Sequence, residues 1–354
     1  MIQAPRIELI MKTHLSVLLT LIAATPATFA QTVTALPDVS PITPGQHIAI
    51  NIPQQRLFLY SDGKLSKIYP IAVGKASTQT ALGRHIIGAK AYNPVWHIPK
   101  SIQKELNNGQ TSVPPGPNNP LGPVFVRLGD PKLGLGIHGT SAPASVPGVR
   151  SHGCIRMKSP DALEFAKTIA SGTAADVIYQ QAALNADASN NLWLAAFGDP
   201  YSRNSLDKAA LKKSMEAWAK AHGKTIHSKR VDLVLQGRTG SLNCITCGSS
   251  AGKINGQLQS LAWTSGSGSL AKASVAPPKP KAAPTETIMP EGSEIEVDAD
   301  TTDSTVTTPA LPKPASKPAS EPIPKPASPA VPTPPQPSVT QPASTTEINL
   351  NTLF

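Results

Sequence analysis

The residues best suited to covalent chemistry lie between positions 136 and 157. There Cys154 directly follows His152 and Gly153, and a second histidine, His138, lies upstream beyond a loop that carries proline and glycine. A cysteine is a strong nucleophile only as the thiolate, and a nearby imidazole is the usual group that forms the thiolate at neutral pH. A glycine beside the nucleophile lets a backbone N–H approach and stabilise an oxyanion. The pattern therefore predicts a nucleophilic cysteine with a histidine base, rather than a buried structural cysteine.

The same stretch resembles the signature of a protein family. It reads His-Gly-Thr at 138–140 and Ser-His-Gly-Cys-Ile-Arg at 151–156. This is similar to the L,D-transpeptidases with a YkuD-like catalytic domain, which remodel bacterial peptidoglycan. The resemblance spans residues 45–180 and is greatest to the periplasmic Gram-negative branch, some of whose members attach a lipoprotein to the wall. Supporting segments match in the same order, at 55–60, 69–74, 93–96 and 119–123.

The resemblance also implies a mechanism. Cys154 would attack the carbonyl of the third residue of a stem tetrapeptide, a diamino acid, and release the terminal D-Ala. His138 would take the thiol proton, oriented by a backbone carbonyl near Gly139. The backbone N–H groups of Gly153 and Cys154 would form the oxyanion hole. His152 would shape the site and contact the substrate, and it ranks second as the base.

Three side chains beside the nucleophile are expected to contact substrate. Arg156, which stands where many family members carry asparagine, suits bidentate pairing with a stem-peptide carboxylate. Arg150 is a second candidate, and Ser151 of the signature is a third. The thioester on Cys154 would pass to an acceptor: another stem peptide, a lysine of an outer-membrane lipoprotein, a free D-amino acid or water. No metal or organic cofactor is expected.

The first thirty residues predict an export signal. Lys12 precedes an apolar run at 15–24, and the small residues around Ala30 form a cleavage site. The run is too short for a bilayer, which needs roughly 20 residues, and no cysteine follows it to carry a lipid. We therefore expect a periplasmic protein with no transmembrane anchor after cleavage. Met11 is an alternative start to Met1.

Charge and composition divide the rest of the chain. The protein has 354 residues with 37 prolines, 4% aromatic residues and a net charge of +10. The positive charge lies in residues 31–274, whereas residues 275–354 are net acidic. A basic body can concentrate at an anionic polymer. Nucleic acid is a remote alternative because no nucleic-acid-binding motif is present, and a merely solvated basic surface is the other interpretation.

Short alternating segments predict a mainly β catalytic domain, like a β-sandwich or barrel, over residues 44–180. Pro70 indicates a sheet edge or a bulge. After Cys154 we expect one helix, with Ser159 as its N-cap and Gly172 at its end. The Pro- and Gly-rich segment 107–123 cannot be a helix or a central strand, and it is either a wall of the substrate groove or a simple connection.

Residues 181–265 predict a small α/β appendage. Ser205 would cap a helix with an apolar stripe from Leu211 to Trp218, and residues 230–236 would form a strand. From residue 266 to 354, near-repeats of Pro-Lys-Pro-Ala-Ser predict a disordered, semi-extended tail.

Cys244 and Cys247 are the remaining reactive pair. Behind an export signal a local disulfide is the favoured interpretation, which leaves Cys154 as the free thiol. A zinc set with His222 and His227 matches no standard finger spacing. Two alternative functions remain: a thiol oxidoreductase that uses this pair, and a non-catalytic peptidoglycan-binding module with a periplasm-spanning tail.

Overall fold

The computed structural model describes Met1, residues 33–275, and the short segments 288–289 and 294–295. It divides into two compact units, Met1–Thr34 and Ala35–Phe354, and almost all of the first lies outside the described residues. The predicted export signal and most of the predicted tail also lie outside them. Among the described residues, no helix is long and apolar enough to cross a membrane.

The part of the chain up to residue 178 consists mainly of β-strands, which confirms the predicted fold class. The strands are β1 (Ile42–Thr43), β2 (Gln46–Asn51), β3 (Arg56–Ser61), β4 (Lys64–Pro70), β5 (Ala72–Gly74), β6 (Gly83–Tyr92), β7 (Val95–His97), β8 (Ser112–Val113), β9 (Val124–Leu128), β10 (Gly136–His138), β11 (Gly148–Ser151), β12 (Ile155–Arg156) and β13 (Ala174–Ile178). The helices of this part are α1 (Lys100–Leu106) and α2 (Ser159–Thr168).

Ten of these strands form one curled, half-barrel-like sheet in the order β11-β5-β12-β10-β9-β6-β13-β2-β3-β4. β10 runs parallel to β12 and antiparallel to β9, so these three strands lie side by side at the middle of one half of the sheet. Pro70 ends β4, the last strand of the sheet, as expected of a residue that cannot donate to a neighbouring strand.

Period-two alternation places apolar side chains on both faces of the sheet. In β2, Ile48 and Ile50 join the main core, whereas Ala49 packs with Phe58 in a smaller cluster on the other face. Each fully buried side chain of this size contributes about 1.5–3 kcal/mol. Phe165 of α2 enters the main core, so this helix covers the sheet next to the strands that carry the signature.

The N-terminus of α2 differs from the prediction. Ser159 is the first helical residue and Lys158 is the N-cap, without a side-chain capping bond. The Ser159 hydroxyl instead bonds to the main chain of Thr140, donating to its carbonyl at 3.0 Å and accepting from its N–H at 3.2 Å. Ser159 as N-cap is therefore wrong, because a long-range bond uses the hydroxyl. The helix also ends at Thr168, before the predicted Gly172.

The segment from β7 to residue 122 covers one end of the sheet, and we call it the cap segment. It contains β7, α1, the two-residue strand β8 and the predicted irregular loop 107–123. Buried Asn119 holds this loop: its Nδ2 donates to the carbonyls of Pro94, Val113 and Pro114, and its Oδ1 accepts from the N–H of Leu121.

The region after residue 181 has its own core, built around Leu184, Leu194, Leu211, Met215 and Trp218. Its further elements within the described residues are β14 (Ala182–Ala186), β15 (Leu192–Ala196), α3 (Lys208–Ala221), α4 (Ser228–Gly237), β16 (Asn243–Cys244), β17 (Gln259–Ala262), β18 (Ser269–Leu270), β19 (Ser274–Val275), β20 (Ile288–Met289) and β21 (Glu294–Ile295).

Three sequence-based expectations for this region need correction or adjustment. Asp207 caps α3 by accepting from the Ala210 N–H, so Ser205 is not the cap. Residues 230–236 are helical in α4, not a strand, because Val231 and Val234 pack on the core with helical spacing. Described structure also continues past residue 266 to β19, which pairs with β1.

Candidate active site

The strand register brings the signature residues together. In the parallel pair β10–β12, His138 lies opposite Arg156 and Ile137 lies opposite Ile155. Cys154 directly precedes β12, and its thiol contacts the backbone of Gly136. Because side chains alternate between faces along a strand, His138 and Arg156 point to the same face of the sheet, and Cys154, two residues before Arg156, lies on that side as well. Residues 16 positions apart in sequence are thus brought to neighbouring positions on one side of the sheet.

One open pocket lies over this face, with about 690 Å³ of space not filled by atoms, part of it open to solvent. Five of the predicted site residues line it, namely His138, Ser151, His152, Cys154 and Arg156. The other walls come largely from the cap segment and from apolar residues around it: Trp96, Pro99, Ser101, Ile102, Pro120, Leu121, Phe125, Leu133 and Gly134. Two residues of the 107–123 loop are therefore part of the pocket wall.

His138 is held as a neutral base. It is buried, and its Nδ1 lies 2.7 Å from the Gly139 carbonyl, the kind of partner that the resemblance implied. That contact assigns the proton to Nδ1 and leaves Nε2 unprotonated. Burial, followed by the charge of Arg156, lowers the pKa of His138 from 6.5 to about 3. The ring also stacks on Phe125, with 6.2 Å between centroids.

Cys154 is the free cysteine of the described chain and is half-buried in the pocket. Its Sγ donates to the Gly134 carbonyl at 3.5 Å. Burial raises the pKa of the thiol, whereas a backbone contact with Gly136 and the charges of Arg127 and Arg156 lower it. The resting site therefore pairs a neutral thiol with a neutral imidazole, and thiolate must form during the reaction.

The turn that carries Cys154 is braced from within. The Ser151 hydroxyl donates to the Cys154 carbonyl at 2.5 Å and accepts from the Gly153 N–H at 3.2 Å. Gly153 has φ +116°, a conformation that side chains rarely adopt. Ser151 thus lines the pocket while its hydroxyl shapes the turn.

A second segment braces the same turn from outside. Thr80 Oγ1 donates to the Gly153 carbonyl at 2.8 Å, and the Lys75 N–H donates to the Ser151 carbonyl at 2.9 Å. The Tyr201 hydroxyl fixes this segment by bonding to the Gly74 carbonyl and the Thr80 N–H. The region after residue 181 therefore supports the nucleophile through Tyr201, a role that the sequence does not indicate.

His152 joins the turn to the cap segment. Its Nε2 lies 3.1 Å from Glu105 Oε2 on α1 and 3.3 Å from Lys75 Nζ. Burial and the Lys75 charge lower the pKa of His152, and Glu105 opposes them. The same Nε2 can either donate to Glu105 or accept from Lys75, and the shorter contact is the one with Glu105. The geometry of His152 therefore suits holding the cap segment more than taking the thiol proton.

The two predicted arginines lie in different environments. Arg156 is only 1% exposed, and its Nη1 donates to Ser145 Oγ at 2.8 Å. Burial lowers the pKa of Arg156 to about 10, so it remains a cation at neutral pH. Arg150 is exposed on β11, outside the lining of the pocket.

The other cysteines form the predicted Cys244–Cys247 disulfide. Of the two histidines in the alternative zinc set, His222 bonds through Nδ1 to the Trp218 carbonyl at 2.9 Å. No group of three or more potential metal ligands occurs within the described ranges.

The fold places a thiol and an imidazole in one pocket, as in an enzyme that uses a cysteine nucleophile. Comparison with known proteins identifies the family. The YkuD L,D-transpeptidase catalytic domain matches residues 45–178. The putative L,D-transpeptidase YkuD of Bacillus subtilis is 36% identical over 138 residues, which cover 39% of this chain and 68% of that protein. The probable L,D-transpeptidase ErfK/SrfK of Escherichia coli is 28% identical, over 60% of this chain and 70% of its own length.

This chain belongs to the YkuD family of L,D-transpeptidases. Among solved structures, an L,D-transpeptidase from Mycobacterium smegmatis is similar at 20% identity with a TM-score of 0.30, over 38% of this chain. This chain covers 58% of the length of that structure. The family assignment depends on the sequence relatives alone.

Proposed function

We propose that this protein is a periplasmic peptidoglycan L,D-transpeptidase with Cys154 as nucleophile and His138 as general base. The observation that carries the proposal is that both side chains line one pocket, with His138 Nδ1 fixed by the Gly139 carbonyl and Nε2 left to accept a proton. An oriented base within the same pocket as a thiol is the arrangement that nucleophilic catalysis requires.

In the first half-reaction, Cys154 Sγ attacks the carbonyl of the diamino acid in the third position of a stem tetrapeptide. His138 Nε2 accepts the thiol proton. When the tetrahedral intermediate collapses, the bond to the terminal D-Ala nitrogen breaks, and His138 returns the proton to that leaving amine. The products are a thioester on Cys154 and free D-Ala.

In the second half-reaction, an amine attacks the thioester and His138 accepts its proton. The new amide forms as the carbon–sulfur bond breaks, and the proton returns to the Cys154 sulfur. The acceptor is the amine of another stem peptide or the lysine of an outer-membrane lipoprotein, with a free D-amino acid or water as the other acceptors.

The backbone beside Cys154 supplies the oxyanion donors in this scheme. In the resting structure the Gly153 N–H already donates to Ser151 Oγ. In this scheme the Cys154 N–H is the first donor, and Gly153 contributes after exchange of its bond with Ser151.

The stem peptide would lie between the cap segment and the Cys154 turn. Apolar walls from Trp96, Ile102 and Leu121 suit the aliphatic part of the diamino acid, and buried Arg156 provides a positive field for a peptide carboxylate. Exposed Arg150 is a second, peripheral contact for carboxylates. Ser151 contributes through the shape of the turn and its place in the pocket wall.

The test is to incubate purified protein with disaccharide tetrapeptide and to follow both the products and the mass of the enzyme. We expect release of D-Ala and an acyl adduct on Cys154, both absent from Cys154→Ala. A non-catalytic binding module would bind muropeptides without either product. Analysis of cross-linked muropeptides, lipoprotein-linked peptides and hydrolysis products then identifies the acceptor.

A further inference from the structure

The strand register places a further arginine, Arg127, close to the reacting groups. In the antiparallel pair β9–β10, Arg127 lies opposite Gly136, and Phe125 lies opposite His138. Combined with the β10–β12 register, this gives two rows across the same face of the sheet. One row is Phe125, His138 and Arg156. The other row is Arg127, Gly136 and Cys154.

Gly136 lies between Arg127 and Cys154 and has no side chain to separate them. A Cβ at this position would lie 2.2 Å from Cζ of Phe125, so the aromatic ring occupies the space above the glycine. The guanidinium carbon of Arg127 lies 5.1 Å from the centroid of this same ring. Neighbouring strands are about 4.8 Å apart, so an arginine side chain two strands away is long enough to span much of the distance to the sulfur.

Arg127 has the face of the Phe125 ring as a partner but, in the described part of the chain, no carboxylate. Its Nη1 is buried and has no hydrogen-bond partner within residues 33–275, and none of the ion pairs among those residues includes it. Burial lowers the pKa of Arg127, and the negative charge of a Cys154 thiolate opposes that effect. A partly buried cation without a charged partner is costly to the folded state, and an anion formed nearby reduces that cost.

The two histidines beside the sulfur supply no preformed imidazolium, and Arg156 contributes its charge while bonded to Ser145. His138 is neutral at rest, because its pKa is about 3, so no imidazolium faces the thiol. Arg156 donates to Ser145, and His152 is engaged with Glu105 and Lys75. Thiolate formation therefore depends on the cations that flank the pocket rather than on a preformed thiolate–imidazolium pair.

We propose that Arg127 stabilises the Cys154 thiolate from across Gly136, with the Phe125 ring packed between them, and so acts as a further electrostatic residue of the reaction. This inference rests on the proposed role of Cys154 as nucleophile. Arg127 would act by charge on the attacking sulfur, and it would act again when the sulfur leaves the thioester.

The experiment is the pH dependence of Cys154 alkylation by iodoacetamide, in which the thiolate displaces iodide and no peptidoglycan is needed. Arg127→Met removes the charge and keeps an unbranched side chain, and Arg127→Lys keeps the charge. At neutral pH we expect the Met variant to react on the order of tenfold more slowly, with its profile displaced to higher pH. The Lys variant should retain most of the wild-type rate.

Arg238→Met is the control for loss of one guanidinium charge, because Arg238 is exposed at the end of α4, where it donates to the Leu235 carbonyl at 3.4 Å. Its profile should coincide with that of wild type. Unchanged alkylation in Arg127→Met, or equal losses in the Met and Lys variants, would overturn the proposal, since only the charge should matter. Arg127→Gln replaces the Met variant if thermal unfolding shows that the latter is not folded.

The transpeptidase assignment can be tested independently of the role of Arg127. Wild-type protein whose Cys154 alkylates with the expected profile, but which releases no D-Ala from tetrapeptide, would contradict the transpeptidase assignment and leave the Arg127 result intact.

Discussion

Two cysteine-bearing turns, each close to an arginine, have opposite chemistry in this protein. In the turn at Cys154 the thiol is free, lines a pocket and lies in the same cross-strand row as Arg127. In the turn at Cys244 the sulfur is bonded to Cys247, and Arg230 donates to the carbonyls of Cys244, Cys247 and Gly248. Among the described residues, the arginine thus has no carbonyl or carboxylate partner in one turn, whereas it holds three backbone carbonyls in the other. In the first turn its charge is available to a thiolate, and in the second it fixes the backbone around a disulfide.

The strongest test of this comparison removes each sulfur in turn. Cys154→Ala should lower transpeptidation more than about a thousandfold, because a covalent catalyst is lost, and it should leave thermal unfolding nearly unchanged. The measurement is D-Ala release from tetrapeptide. Replacement of both Cys244 and Cys247 is the matched control and should retain activity. A Cys154→Ala protein with a tenth of wild-type turnover would contradict the nucleophile assignment.

Next in size is the difference between the two histidines. His138→Gln should lower kcat/KM by about a hundredfold or more, because it removes the general base. His152→Gln should lower it only about five- to tenfold, the effect of losing the contact with Glu105. Both variants are measured with the same tetrapeptide. A larger loss in His152→Gln would reverse the assignment of the base.

The pH dependence of Cys154 alkylation tests whether His138 is neutral at rest. The pKa of His138 is lowered to about 3, so the imidazole stays neutral above that pH, while burial raises the pKa of the Cys154 thiol. Alkylation should therefore rise continuously from about pH 5 to pH 9, without a step near 6.5. A reactive plateau that begins near pH 6.5 would show a preformed thiolate–imidazolium pair instead.

Sequence patterns predicted those features that depend on residues close together in the chain. Short alternating segments indicated a mainly β domain and the outer strands of its sheet, though not β9 to β12, and residue types and spacing singled out Cys154 and His138. The prediction failed at residues 230–236, where alternating valine and leucine fit a strand as well as a helix and packing decides between them. It also failed at Ser159, whose hydroxyl bonds to Thr140 rather than to its own helix.

The missed parts of the site all depend on distant pairing. Arg127 joins the row of Cys154 only through the register of three strands, and Glu105 reaches His152 from the cap segment. Tyr201 supports the turn from beyond residue 181. Alternation within β9 does place Phe125 and Arg127 on one face, but it does not indicate which strand pairs with β9 or in what register.

A smaller effect, on stability alone, is expected from replacing Arg230. Arg230→Met should lower the free energy of unfolding by about 1–2 kcal/mol, because partly buried carbonyls lose charge-assisted donors. Cys154 alkylation should not change. Lys229→Met, an exposed neighbour on the same helix, is the control for loss of one charge and should be nearly neutral in urea unfolding. If Arg230→Met altered Cys154 reactivity, the two turns would not be independent.

The smallest effect is expected from the disulfide itself. The variant with Cys244→Ala and Cys247→Ser keeps a small apolar group at the fully buried position and a polar one at the partly exposed position. A bond between residues three apart closes a very small loop, so it should stabilise the fold by no more than about 2 kcal/mol. Arg230 still holds the carbonyls of the turn, which limits local unfolding. Urea unfolding measures the loss, and thiol titration of the native wild-type protein should find Cys154 alone. A stability loss much above that bound, or slower Cys154 alkylation in the variant, would mean that the disulfide supports the active site from a distance.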